Sequence, residues 1–170
     1  GQRMDVYTDG LASGWESWSW NASVQMGSTT QAYEGSRSML VTLEPWGALS
    51  LLHPTFGSGA YHWLEFYIRG TFSSSSDLMA FFHDTDGAEL PPVPLLDLRH
   101  LSGGPVDSET WMRVRIPLSE LNVRGEPLTR LNIQNNTGSG PPTFWIDEMR
   151  LVAVQTPAAQ AFLPVVVGSR

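Results

Sequence analysis

The sequence predicts an all-β domain, a two-sheet antiparallel β-sandwich of the jelly-roll type. Turn-forming residues recur at short intervals, and the runs between them are short and either apolar or alternating. No segment has the length and the 3.6-residue periodicity of a long helix. The chain has 170 residues, of which 41% are hydrophobic, so it is long enough to form one domain with a sizeable core.

The N-terminal half contains six predicted strands. Turn signals separate them, for example Asp9-Gly10 after the first strand and Asp86-Gly87 after the sixth. The Asp84-Thr85-Asp86-Gly87 run is interpreted as a hairpin turn, because it lacks the length and the later Glu of a calcium-binding loop. The strands are predicted at 3–8, 18–26, 37–43, 47–53, 61–69 and 77–84.

The C-terminal half contains four predicted strands and one helical turn at 119–121. The strands are predicted at 94–99, 111–117, 129–135 and 143–153. Two of them alternate clearly, since Val114 and Ile116 share one face, as do Leu131 and Ile133. Residues 1–154 are therefore predicted to form the domain, and 155–170 a linker or tail that could instead add an edge strand.

Charge and composition exclude several classes of protein. The formal net charge is −7 and no basic stripe exists, which argues against binding to nucleic acid or to an anionic membrane surface. The chain has no Cys, so it has no disulfides and no thiolate metal site. Nucleophile-elbow, zinc-protease and phosphate-loop motifs are absent, and the four histidines lack metal-ligand spacing, so the protein is not expected to be an enzyme.

Three tryptophans are candidates for sugar stacking. Trp18 and Trp20 share one face of an extended strand because side chains alternate along it. Trp46 is followed by Gly47 and Ala48, whose small size leaves room for a ligand at the sheet. Each ring could instead be part of the core, where a buried Trp contributes a large apolar area.

A polar face is predicted beside these rings. If Leu49 and Leu51 point inward on one strand, and Leu78, Ala80 and Phe82 on another, then the alternate residues point outward. The reverse arrangement would bury Phe81 and expose Phe82. Amides donate and accept hydrogen bonds without carrying charge, which suits sugar hydroxyls. Outside the tryptophans, the candidate carbohydrate-binding residues are Phe81, His83, Asn132, Gln134 and Asn136.

The order of the segments resembles the β-jelly-roll carbohydrate-binding modules of bacterial plant-cell-wall-degrading enzymes, which are galactose-binding-like sandwiches. The matching segments include an acidic residue after the first strand, the Trp-rich stretch, a Gly-x-x-Ser strand (Gly35 to Ser38) and the final Phe144-Trp145-Ile146-Asp147 strand. The resemblance implies a structural Ca²⁺ held by Asp9, by Asp147 and by backbone carbonyls near 34–37. It also implies secretion and an attached catalytic domain.

Two functions from different classes remain open at this stage. The first is non-catalytic binding of a plant-type polysaccharide, a β-glucan or xylan chain, through aromatic stacking and amide hydrogen bonds. The second is a structural or interaction jelly-roll domain of an extracellular protein with no glycan ligand. A small glycoside-cleaving enzyme on the same fold is a weaker alternative, because no pair of carboxylates is indicated by the sequence.

Overall fold

Ten strands form between the turns that the sequence marks, within residues 2–140 and 142–154, which the computed structural model describes. The predicted linker or tail at 155–170 lies outside the described residues. The strands are β1 (Arg3–Tyr7), β2 (Glu16–Ser17), β3 (Trp20–Ser28), β4 (Ser38–Phe56), β5 (Trp63–Gly70), β6 (Leu78–Asp84), β7 (Val93–Pro94), β8 (Met112–Pro117), β9 (Leu128–Asn135) and β10 (Thr143–Val152). One helical turn, α1 (Leu118–Leu121), follows β8 where the sequence predicts it. No helix in the described residues is long and apolar enough to cross a membrane.

The long strand β4 joins two layers. Its N-terminal half pairs with β3 and β10, and its C-terminal half pairs with β2 and β9. Sheet A contains β8, β5, β10, the first half of β4 and β3, with β1 beside the end of β10. Sheet B contains β2, the second half of β4, β9, β6 and β7. All pairs are antiparallel, so the predicted two-sheet sandwich is confirmed.

The core lies between the two sheets. Alternate residues of sheet A, such as Phe66 and Ile146, meet alternate residues of sheet B, such as Leu49, Phe82 and Ile133, in one buried cluster. Burying this apolar area drives the sheets together at about 25 cal/mol per Å². The opposite residues of each strand therefore face outward and form the two outer surfaces of the sandwich.

Three details of the predicted elements differ from the structure. The strand predicted at 18–26 begins at Trp20, and Trp18 lies in the connection between β2 and β3, so the two tryptophans do not share one strand. The strands predicted at 37–43 and 47–53 are one strand that bends near Trp46. The strand predicted at 94–99 is wrong, since only Val93–Pro94 pair with β6 and Leu98–His100 form a 3-10 turn. Prolines at 91, 92 and 94 lack the N–H that a ladder requires, and the Asp97 side chain accepts from the Arg99 N–H and starts the turn.

Candidate functional site

The outer surface of sheet B gathers the aromatic and amide residues that the sequence singles out. Cross-strand pairing aligns Trp20 with Ala48, Ala48 with Gln134 and Gln134 with Met79. The next row pairs Ser50 with Asn132 and Asn132 with Phe81. We call this surface the tryptophan face, which consists of Trp18, Trp20, Trp46, Ser50, Phe81, His83, Arg130, Asn132 and Gln134.

The predicted direction of the side chains is confirmed on all three strands of this surface. Leu49 and Leu51 on β4, and Leu78, Ala80 and Phe82 on β6, belong to the buried cluster between the sheets. Their neighbours along each strand therefore lie on the tryptophan face. Ala48 is fully buried there despite pointing outward, because larger side chains on both sides cover it.

Trp18 and Trp20 enclose a guanidinium group. The Arg130 Cζ atom lies 5.6 Å from the centroid of the Trp18 ring and 5.5 Å from that of Trp20, distances at which cation–π attraction operates. Arg130 also donates from Nε to Ser50 Oγ at 2.5 Å and from Nη2 to the Trp18 carbonyl at 3.0 Å. These contacts fix the two indoles relative to β9, while Trp18 remains 53% exposed.

Trp46 lies at the bend of β4 and is 54% exposed. Its φ of 63° is in the left-handed region, which non-glycine residues rarely adopt. The Trp46 carbonyl accepts two hydrogen bonds, from Trp20 Nε1 at 3.1 Å and from Gln134 Nε2 at 2.8 Å. The adjacent Gly47 has no room for a side chain, since a Cβ there would overlap the Asn21 carbonyl oxygen. The bend therefore ties the third tryptophan to the other two.

A chain of hydrogen bonds crosses the middle of the face. Ser50 Oγ, which accepts from Arg130, donates to Asn132 Oδ1 at 2.6 Å. Asn132 Nδ2 lies 2.9 Å from His83 Nδ1 and 3.2 Å from the Phe81 carbonyl, so the imidazole accepts at Nδ1. Burial, followed by the positive charge of Arg130, holds the pKa of His83 below its ordinary value. The neutral imidazole is thus the form that completes the chain.

Two predicted contact residues are covered. Phe81 is 3% exposed and Asn132 is fully buried, which corrects the expectation that they offer open surface. Asn132 already uses both ends of its amide within the protein. The Phe81 ring packs near the His83 ring, with centroids 5.8 Å apart, and β7 pairs alongside β6 at this edge. These two residues support the surface from below.

The remaining predicted residues lie at the surface. Gln134 is partly exposed, and its side-chain oxygen, Oε1, is not used in the contact with Trp46. Asn136 is exposed beyond the end of β9, where its Nδ2 lies 3.4 Å from the Ser76 carbonyl. The His83 side chain is 12% exposed. It lies on the tryptophan face, on the neighbouring strand β6, where His83 pairs with Arg130.

Three residues of this region were not among the predicted site residues: Ser50, Arg130 and Asn135. Ser50 pairs with Asn132 across β4 and β9. Arg130 alternates along β9 with Asn132 and Gln134, so the same pattern that predicts an outward direction for them predicts it for Arg130. Asn135 points the other way and is buried, and its Nδ2 donates to the carbonyls of Leu43 and Glu44 at 3.2 Å. It holds the chain just before the Trp46 bend, which no sequence pattern indicates.

The two aspartates predicted to bind calcium both lie against the 33–37 loop. Asp147 is fully buried and accepts from the backbone N–H groups of Tyr33, Glu34 and Glu148 at 2.8–3.1 Å. Asp9 accepts from the N–H groups of Ser36 and Arg37 at 3.1–3.3 Å. Burial raises the pKa of Asp147 above its ordinary value, against the lowering effect of its three N–H donors.

These donors do not fit a calcium ion, which requires oxygen ligands. The groups that the two carboxylates contact here are backbone N–H groups. Within residues 2–140 and 142–154, no three or more acidic or histidine side chains form a cluster that could hold a metal. The calcium assignment stays a prediction, and the structure gives both aspartates a different role as anchors of the loop.

The tryptophan face combines stacking surfaces with hydrogen-bonding groups. The indoles of Trp18 and Trp46 are more than half exposed and present apolar planes. Arg130 contacts Trp18, and Gln134 contacts the Trp46 carbonyl, so hydrogen-bonding groups lie beside both planes. Such a surface can pack against the C–H face of a sugar ring and hydrogen bond its hydroxyls. None of the residues that form it is a carboxylate.

Comparison with known proteins gives matches in structure alone. No protein-family model matches the chain, and the search of curated proteins gave no match. A solved structure of a variant family 29 carbohydrate-binding module has a TM-score of 0.58 and 15% identity, over 89% of this chain and 91% of that chain. Others are variants in complex with mannohexaose (TM-score 0.58, 15% identity, 88% and 90%) and with cellulohexaose (0.57, 16%, 88% and 89%). At this identity the likeness establishes a shared β-sandwich fold.

Proposed function

We propose that the protein is a non-catalytic module that binds a neutral plant-type polysaccharide, a β-glucan or xylan chain, on the tryptophan face. The observation that carries the proposal is the group of three tryptophans along one edge of a polar sheet surface, two of them more than half exposed. Large aromatic side chains left open to water next to polar groups are typical of binding surfaces. The fold neighbours solved with cellulohexaose and mannohexaose support the same class of ligand.

The proposed binding joins an uncharged ligand to stacking surfaces and hydrogen-bonding groups. Trp18, Trp20 and Trp46 stack on sugar rings, while the Gln134 carbonyl oxygen and the outer nitrogens of Arg130 bind hydroxyls. Each hydroxyl contact replaces one made with water, so the affinity is modest. In a longer protein, such a module would hold an attached enzyme close to insoluble substrate outside the cell and raise its effective concentration.

Calorimetric titration with cellohexaose, xylohexaose and mannohexaose tests the proposal. We expect at least one of them to bind and to quench tryptophan fluorescence. Trp46→Ala should weaken binding about tenfold, because it removes a stacking plane worth roughly 1–1.5 kcal/mol. Gln134→Ala should weaken it less. The matched control is Trp63→Ala, a partly exposed tryptophan on sheet A, which should leave affinity for these neutral sugars unchanged.

Salt provides a second test, because an uncharged ligand forms no charge pair that salt could screen. The affinity should be nearly the same at low and high ionic strength. If a folded protein binds none of a broad panel of neutral glycans, the proposal fails. The alternative of a structural or interaction domain with no glycan ligand would then be preferred.

A further inference from the structure

A cavity lies on the side of the molecule opposite the tryptophan face. It has a volume of about 520 Å³ and opens on the outer surface of sheet A. Residues from four strands line it, together with Gln2 and with Ala153 and Val154 after the end of β10. We call it the arginine pocket, and its main lining residues are Arg3, Trp63, Glu65, Arg115 and Arg150.

The strand register brings these side chains together. Trp63 on β5 pairs with Val152 on β10, which pairs with Arg3 on β1. One row further, Glu65 pairs with Arg115 on one side and with Arg150 on the other. Directly paired residues in an antiparallel sheet point to the same face, so the pocket is a consequence of the topology and not of a loop conformation.

The pocket has an aromatic wall that is held in place. The Trp63 ring is partly exposed, and the His62 ring packs edge-on against it with centroids 4.3 Å apart. The Arg115 Cζ atom lies 5.8 Å from the Trp63 ring centroid. A planar ring beside a guanidinium can stack on a sugar while the cation binds an attached acidic group.

The pocket contains N–H donors that no acceptor in the described residues uses. Arg115 donates only from Nε, to Glu65 Oε1 at 2.6 Å, and its two outer nitrogens make no hydrogen bond within the described residues. The Arg3 Nε lies 3.3 Å from Asp5 Oδ1, and its outer nitrogens are likewise unused there. The two side chains are 40% and 56% exposed, so their free N–H groups are accessible to a ligand.

Positive charge is concentrated on this surface. The chain carries a net charge of −7, yet five of its ten basic residues, all of them Arg, lie on the outer face of sheet A: Arg3, Arg69, Arg113, Arg115 and Arg150. Three carboxylates contact members of this group, those of Asp5, Glu65 and Glu148. Among the residues that line the pocket, three are Arg and one is acidic, which favours an anionic ligand.

From this geometry we infer that the arginine pocket is a second sugar site, which binds a residue bearing a carboxylate, a uronic acid. The sugar ring stacks on Trp63, and its carboxylate accepts charge-assisted hydrogen bonds from the outer nitrogens of Arg115 and Arg3. This site does not depend on the tryptophan face. Together the two would let one module contact a neutral chain and an acidic chain from opposite sides.

Titration with tetragalacturonate at low ionic strength tests the inference, with the fully methyl-esterified tetrasaccharide as the neutral counterpart. The acid should bind and the ester should bind at least several-fold more weakly. Raising the ionic strength from about 0.05 M to about 0.5 M should weaken binding of the acid several-fold, because the pocket charges are partly exposed. Trp63→Ala should weaken it about tenfold.

Matched variants distinguish binding in the arginine pocket from a general effect of the protein's charge on an anionic ligand. Arg3→Gln should weaken tetragalacturonate binding about three- to fivefold, as expected for one exposed charge contact. Arg124→Gln removes the same charge from an exposed position elsewhere and should have no effect. Arg3→Gln is preferred to a change at Arg115, whose loss would leave the nearly buried Glu65 unpaired.

The inference is overturned if the acid does not bind, if the ester binds equally well, or if Arg124→Gln weakens binding as much as Arg3→Gln. Trp46→Ala should leave tetragalacturonate binding intact while weakening neutral glycan binding. The two proposals therefore fail independently of each other, since each has its own ligand and its own tryptophan.

Discussion

Two asparagines near the end of β9 were both predicted to contact sugar, but their surroundings differ. Asn132 is buried and links Ser50, the Phe81 carbonyl and His83, whereas Asn136 is exposed. Asn132→Ala should therefore lower the free energy of unfolding by about 1–3 kcal/mol, because it leaves buried polar groups without partners. Asn136→Ala should change it by less than about 0.5 kcal/mol.

Urea unfolding of the two variants checks this prediction, and a glycan titration of the folded variants adds to it. Asn132→Ala should also weaken glycan binding, since Arg130 loses the support of the fixed Ser50 hydroxyl. Equal stabilities for the two variants would contradict the role of Asn132 as a buried link.

His83 should make the stability of the protein depend on pH. Its pKa is lower in the folded protein than in the unfolded chain, because of burial and the nearby Arg130, against the opposing effects of Glu89 and Asp84. The stability that the neutral imidazole provides is complete above the unfolded pKa of about 6.5 and is lost as the pH falls through the folded pKa. Acidification from pH 7 to below 6 should therefore destabilise the protein through this group.

Comparison with His83→Gln isolates the effect. The amide of Gln can accept from Asn132 but does not titrate in this range. The difference in unfolding free energy between the two proteins should shrink or reverse as the pH falls. A difference that stays constant between pH 8 and pH 5 would show that His83 does not link stability to pH.

At the scale of elements, the bend of β4 depends on the absence of a side chain at Gly47. A Cβ there would overlap the Asn21 carbonyl oxygen, whereas Gly59 has open space around it. Gly47→Ala should destabilise the protein by about 1–3 kcal/mol or more, the usual range for overpacking. It should also weaken glycan binding by displacing Trp46. Thermal melting and titration of this variant, with Gly59→Ala as the control, measure both effects.

The 33–37 loop provides the test of the calcium prediction. Backbone N–H groups already satisfy Asp9 and Asp147, so a role as loop anchors alone predicts the same melting temperature in EDTA and in calcium. An ion that binds only the folded state would raise it. A melting temperature that is higher in calcium than in EDTA, with the difference abolished by Asp147→Ala, would establish the metal site. It would also show that the loop rearranges to offer carbonyl oxygens. Asp147→Ala should lower stability in either buffer.

The elements could largely be predicted because turns and alternation are local properties. The alternation of β9 and β6 gave the correct inward residues, and α1 was predicted within one residue. The continuity of β4 could not be predicted, because Glu44-Pro45-Trp46-Gly47 reads as a break. The bend is held by distant partners, the side chains of Asn135, Trp20 and Gln134, which no local pattern reveals.

For the whole molecule, the sequence indicated the tryptophan face but not the arginine pocket. The three tryptophans and the amides lie in short segments whose alternation places them on one surface. The arginines of the pocket come from β1, β8 and β10, and only the order of strands in sheet A brings them together. The burial of Phe81 and Asn132 likewise depends on neighbouring strands, so the exposure of an outward residue could not be inferred from its parity.

Under the proposed function, the position of β10 has a mechanical consequence. β10 is flanked on one side by β5 along most of its length and on the other by β4 and β1. A pulling force applied to the chain beyond β10 would run along this strand, so many hydrogen bonds would have to shear at once. An edge strand would instead peel away one bond at a time. The fold is therefore suited to resist tension between the tryptophan face, when it holds a ligand, and the chain after Val152.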